Sequence, residues 1–115
     1  MISPFAQYAD ADCFGGKSRE EFLQALREAL KGRVQGAWIF GSVARGDQKR
    51  TSDVDLVLAA ETGRKFHDRV TDYSDLFDLC PRLDLLIYTP EEFRAQVQGA
   101  TGFWADFGRQ ALRIV

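Results

Sequence analysis

The chain has few of the residues that hold small proteins together covalently or through metals. Its 115 residues include two cysteines, Cys13 and Cys80, and one histidine, His67. Two thiols so far apart make no disulfide framework, and with a lone histidine they make no zinc set. Buried, inert thiols in a reducing cytoplasm are expected. No run approaches the roughly 18 apolar residues of a membrane span. The opening Met1-Ile2-Ser3-Pro4-Phe5 lacks the basic and apolar regions of a signal peptide. There is no basic surplus either: 15 Lys and Arg against 17 Asp and Glu give a formal charge of -2. That balance excludes broad polynucleotide binding, which needs a basic face. It leaves one local basic stretch, Arg45, Lys49 and Arg50, able to meet a triphosphate. Proline is scarce, and no linker, repeat or low-complexity segment is visible. One domain over residues 1–115 with a modest core is expected.

What is present is patterned for a mixed α/β domain. Ser18-Arg19-Glu20-Glu21 is a capping box. It opens a helix whose Phe22, Leu23, Leu26, Ala29 and Leu30 recur at helical spacing, with Gly32 as its stop. Val34 to Phe40 reads as a first strand and Asp53 to Ala60 as a second. Residues 64–79 carry Phe66, Val70, Tyr73 and Phe77 at intervals of three and four, which predicts a helix ended by Pro81. Arg82 to Tyr88 reads as a third strand. Thr89-Pro90-Glu91-Glu92 is a second capping box, with proline at the first helical position. A helix through Val97 follows. Phe103, Trp104 and Phe107 dock a last short helix, and residues 111–115 suggest a terminal strand. Trp38 and Trp104 suit a core or an interface. In residues 1–16, Phe5, Tyr8 and Phe14 suggest some docking. Phe14-Gly15-Gly16-Lys17-Ser18 imitates a phosphate-binding P-loop, but the first glycine of that motif would fall on Ala11.

The chemistry concentrates in residues 41–58. Gly41-Ser42-Val43-Ala44-Arg45-Gly46 reads as a sharp turn into a short helical segment that presents backbone N–H groups, where a glycine lets a ligand approach closely. Ser52-Asp53-Val54-Asp55-Leu56-Val57-Leu58 puts two carboxylates on one face of an apolar strand, their Cα atoms about 6.5–7 Å apart. Carboxylates that close repel unless a cation lies between them. On the third strand, Leu83, Leu85 and Ile87 share one face and Asp84 begins the other. A strand–helix–strand crossover makes its strands parallel. If they are neighbours, Asp53, Asp55 and Asp84 meet at one end of the sheet. The first strand then runs antiparallel to the second, so that Gly41 reaches the same end.

These residues resemble the nucleotidyltransferase superfamily that includes DNA polymerase beta, and most closely its minimal, MNT-type members. The resemblance is carried by Gly41, Ser42, Ala44, Arg45, Gly46, Ser52, Asp53, Asp55, Leu56 and the later Asp84. It implies a small mixed β-sheet flanked by helices and a transfer of a nucleoside monophosphate, AMP from ATP, with pyrophosphate leaving. By that resemblance Asp53, Asp55 and Asp84 are catalytic and hold two Mg²⁺ ions, and Asp84 helps deprotonate the acceptor hydroxyl. Gly41 and Ser42 bind the triphosphate; Arg45, Lys49 and Arg50 neutralise its charge. Many minimal members are antitoxins paired with a HEPN-type RNase toxin, and some modify a tyrosine of that toxin. That implies a protein acceptor here. Two alternatives stand beside it: an antitoxin that acts by binding alone with a vestigial site, and a small-molecule transferase of the aminoglycoside type.

Overall fold

The computed structural model describes residues 12–99 and 101–115. Expectations resting on Phe5, Tyr8 and Ala11 lie outside the described residues.

Local signals place the elements. Helix α1 spans Arg19–Leu30. Its capping box closes as the sequence requires: the Glu21 N–H donates to Ser18 Oγ at 3.1 Å, and the Ser18 N–H donates to Glu21 Oε1 at 3.0 Å. Its apolar stripe, Phe22, Leu23, Leu26 and Leu30, is buried. Strand β1 spans Gly36–Phe40, and a four-residue helix α2 follows, Ser42–Arg45. Strand β2 is Val54–Ala59 and β3 is Leu83–Tyr88. Helices α4, Pro90–Gly99, and α5, Phe103–Gln110, precede a two-residue β4, Leu112–Arg113.

The sheet order is β3-β2-β1-β4. β1 runs antiparallel to β2, with Phe40 opposite Asp55. β2 runs parallel to β3, with Asp55 opposite Asp84. Alternation along the strands then assigns the faces. Ala37, Ile39, Val54, Leu56, Leu58 and Ile87 join the α1 stripe in one core. The other face carries Trp38, Phe40, Val57, Leu86 and Tyr88 under α4 and α5. There Trp38 stacks on Phe93, with centroids 4.3 Å apart, and Trp104 meets Tyr88 at 5.3 Å. Among the described residues no helix is long and apolar enough to cross a membrane.

The single helix expected over residues 64–79 is a correction. The chain forms a 3-10 helix at Phe66–Tyr73, then α3 at Leu76–Leu79. Two side chains explain the break. Arg33 donates to the Asp72 carbonyl at 2.9 Å and bridges to the Asp75 carboxylate, so the chain turns where a continuous helix would use that carbonyl. Arg69 lies buried and aligns with Phe66 one 3-10 turn earlier, its guanidinium 5.6 Å from the ring. Spacings of three satisfy both helix types, so the sequence pattern did not separate them.

Arg69 also locks this segment to α4. Its Nη1 donates to Glu92 Oε1 at 2.6 Å and to the Ile87 carbonyl at 3.0 Å. Glu92 closes the second capping box, accepting the Thr89 N–H at 2.8 Å. The Arg69 guanidinium first, and the Thr89 N–H second, hold the Glu92 carboxyl down at about 2, against 4.5 for the free group. A depressed carboxylate stabilises the fold above its unfolded pKa, and loses that contribution as pH falls from 4.5 toward 2. Glu92→Gln is expected to cost about 1 kcal/mol at neutral pH, discounted for the solvent that reaches this half-exposed group. Thermal melts between pH 2 and 7 check it: the variant's melting point should fall less steeply below pH 4.5 than the wild type's.

Candidate active site

The end of β1 turns at Gly41, whose φ of +78° suits only glycine comfortably. A Cβ there would lie 2.5 Å from Asp55 Oδ2. The turn therefore backs directly onto a β2 carboxylate. Asp55 is half-buried, and Asp84 is exposed beside it at the matching register position. Burial first, then the charge of Asp84 and then that of Asp53, push the Asp55 carboxyl above the ordinary range. Asp55 thus feels both other carboxylates, and its register opposite Asp84 accounts for the larger of the two effects.

Asp53 stands just before β2, exposed, with Oδ1 3.7 Å from Nε of Arg82. Among the described residues no three His, Cys, Asp or Glu side chains converge as placed into a metal cluster. The donor set nonetheless suits a hard divalent cation: all oxygens, mutually repelling, with one desolvated. Asp53, Asp55 and Asp84 supply those oxygens, each from a carboxylate near the start of β2 or β3.

Ser42 follows the Gly41 turn, whereas Lys49 and Arg50 line a separate cleft with Asp12, Cys13 and Phe14. The Ser42 N–H and hydroxyl belong to the turn. Arg45 leans outward, its Nε 3.2 Å from Asp47 Oδ2 and its Nη1 3.3 Å from Gln110 Oε1 on α5. Lys49 and Arg50 are exposed in the loop before β2. That loop is tied down from behind: the Cys13 N–H donates to the Arg50 carbonyl at 2.7 Å, and Ser52 Oγ accepts from the Lys49 N–H at 2.8 Å. Both cysteines are buried, and burial pushes the Cys80 thiol up to about 11.

Three features escaped the sequence reading. Arg82 faces Asp53. Arg19 reaches α2, donating from Nε to the Val43 carbonyl at 3.1 Å and from Nη2 to the Ala44 carbonyl at 3.5 Å. A cleft of about 140 Å³ opens beside the carboxylates, lined by Phe40, Leu56, Val57, Leu86 and Phe103 together with Asp55 and Asp84. Phe103 packs on Phe40 at 4.9 Å and remains 42% exposed. Aromatic residues at two distant places in a chain give no signal that they share a wall.

Comparison with known proteins decides the family. The pattern of the family described as polymerase beta, nucleotidyltransferase, matches residues 24–100, about two thirds of the chain. The chain belongs to the polymerase beta nucleotidyltransferase family. This nucleotidyltransferase domain is 33% identical over 67 residues to a protein of Methanocaldococcus jannaschii provisionally named a protein adenylyltransferase. The match covers 58% of each chain, so the domain spans little more than half of that relative. A provisionally assigned nucleotidyltransferase from Sulfolobus solfataricus has the same fold, with a TM-score of 0.51 and 22% identity. That superposition covers 70% of this chain and 83% of the other. A toxin–antitoxin structure solved with AMP-PNP superposes with a TM-score of 0.49 and 18% identity, covering 86% of this chain and 73% of that one. That match is too loose to carry an inference about assembly.

Proposed function

We propose that this nucleotidyltransferase moves AMP from ATP to a hydroxyl on a partner protein, as the antitoxin of a HEPN-type toxin. The observation that carries the transfer is the register of Asp55 and Asp84 on neighbouring parallel strands, with Gly41 seated against the Asp55 carboxylate. Asp53, Asp55 and Asp84 would together hold two Mg²⁺ ions through their carboxylate oxygens. When bound, the ions neutralise charge on the attacking and leaving oxygens. Gly41 and Ser42 hold the triphosphate through the turn's backbone N–H groups and the Ser42 hydroxyl. Lys49 and Arg50 add positive charge, and Arg45 does so once drawn from Asp47. The acceptor oxygen bonds to the α-phosphorus, the α–β P–O bond breaks, pyrophosphate leaves, and the acceptor proton passes to Asp84.

The cleft favours a protein acceptor. Its walls are aromatic and aliphatic, and its polar groups are the two carboxylates. A polyhydroxylated aminoglycoside would find few partners there, and unpaired buried hydroxyls are costly. An apolar side chain that ends in a hydroxyl is matched by those walls. Phe103→Ala is therefore expected to raise the KM for the protein acceptor about tenfold while the KM for ATP holds.

The deciding assay is transfer from radiolabelled ATP with Mg²⁺ to the co-purified partner, with Asp53→Asn as the control. Label on the partner that vanishes in the variant supports the reading. A stable complex with no label overturns it. The contact of Asp53 with Arg82 favours one second reading, an antitoxin that neutralises by binding alone. In that case Asp53→Asn, Asp55→Asn neutralises the toxin as well as wild type does.

A further inference from the structure

Helix α2 begins at Ser42, directly after Gly41, and is four residues long. A single turn of helix is not stable by itself, so contacts from elsewhere must hold it in place. Of its four side chains only Val43 is buried. Its carbonyls at Val43 and Ala44 receive the Arg19 guanidinium from α1, 24 and 25 residues away in sequence.

Arg19 has a rigid base. It is the first residue of α1, directly after the closed capping box, and α1 carries four buried residues into the core. A guanidinium is also a planar fork that spans two acceptors in one geometry, which an ammonium does not match. Arg19 therefore passes the rigidity of α1 to α2. The tolerance at the other end of α2 is small, because the Gly41 backbone already lies against Asp55 Oδ2. A shift of about half an ångström matters in a binding constellation of this kind.

We infer that Arg19 is a positioning residue for the nucleotide. It holds Gly41 and Ser42 in register with the β2 carboxylates, and so sets triphosphate affinity without touching the ligand. This rests on the reading that Gly41 and Ser42 bind the triphosphate. A purely structural Arg19 would lower the melting point and leave the affinity of the folded protein alone.

The test measures calorimetric binding of an ATP analogue with a non-hydrolysable α–β bridge, in Mg²⁺, together with melting points. It uses wild type, Arg19→Gln, Arg19→Lys and Ser42→Ala. Arg19→Lys keeps the charge and the aliphatic stem, so a folded variant remains if Arg19→Gln is lost. The expected result is about tenfold weaker binding for Arg19→Gln, a smaller loss for Arg19→Lys, and a loss for Ser42→Ala. Weaker binding by Ser42→Ala with wild-type binding by both Arg19 variants would overturn the role of Arg19 and spare the turn. Wild-type binding by Ser42→Ala would overturn the reading of the turn, and this inference with it.

Discussion

Asp55→Asn is expected to cut nucleotidyl transfer by about a hundredfold to a thousandfold while leaving the fold as stable as wild type or more so. The loss follows from position. Asp55 is the carboxylate to which the other site elements are referred: Gly41 backs onto it and Asp84 is its register partner. Removing its charge should cost about a hundredfold to a thousandfold in rate, the scale found when a group that stabilises transition-state charge is lost. The gain in stability follows from electrostatics. The folded protein holds this carboxyl above its free value of 3.8, through burial and through two like charges. A raised acid binds more protons folded than unfolded, so stability falls as pH rises past 3.8. Asparagine carries no such penalty. In buffer free of divalent ions the variant's melting point should match or exceed the wild type's at pH 7. The difference should close below pH 3.8. Added Mg²⁺ should raise the wild type's melting point and not the variant's. A variant that melts well below wild type at neutral pH would show that Asp55 is structural.

Gly41→Ala is expected to combine a stability loss of about 1–2 kcal/mol with at least a hundredfold loss of transfer. The stability term is the cost of a side chain at φ +78°. The activity term comes from the Cβ, which would stand 2.5 Å from Asp55 Oδ2 and must push the carboxylate or the turn aside. The two effects are separable, because Gly46 also has a positive φ, at +81°, but a Cβ there would meet nothing within 4 Å. Gly46→Ala should therefore show a similar fall in melting point with far less loss of transfer. Equal activity losses in the two variants would mean that backbone strain, and not contact with Asp55, governs the turn.

Much of this site was legible in the sequence because its geometry is local or follows from parity. A period of two puts Asp53 and Asp55 on one face, and a crossover between β2 and β3 makes them parallel. The second expectation is met in the pairing of Asp55 with Asp84, whereas Asp53 falls just outside β2 and faces Arg82. The capping boxes at Ser18 and Thr89 were legible for the same reason, since each closes within four residues. The helix over residues 64–79 misled because a spacing of three fits both helix types. The choice was made by Arg33 reaching Asp72 and by the burial of Arg69, neither of which is a local signal.

The sequence by itself determined the family motif, the order and directions of the first three strands, and the face shared by Asp55 and Asp84. Those are consequences of backbone geometry and of alternation along short segments. Only the tertiary structure decided what surrounds that motif. It brought Phe103 over Phe40 to wall the cleft, set Arg82 against Asp53, tied Arg45 to Gln110, and placed Arg19 behind the Gly41-Ser42 turn. Each of these joins residues far apart in the chain. Such contacts depend on how the helices pack on the two faces of the sheet, and no local spacing encodes that packing.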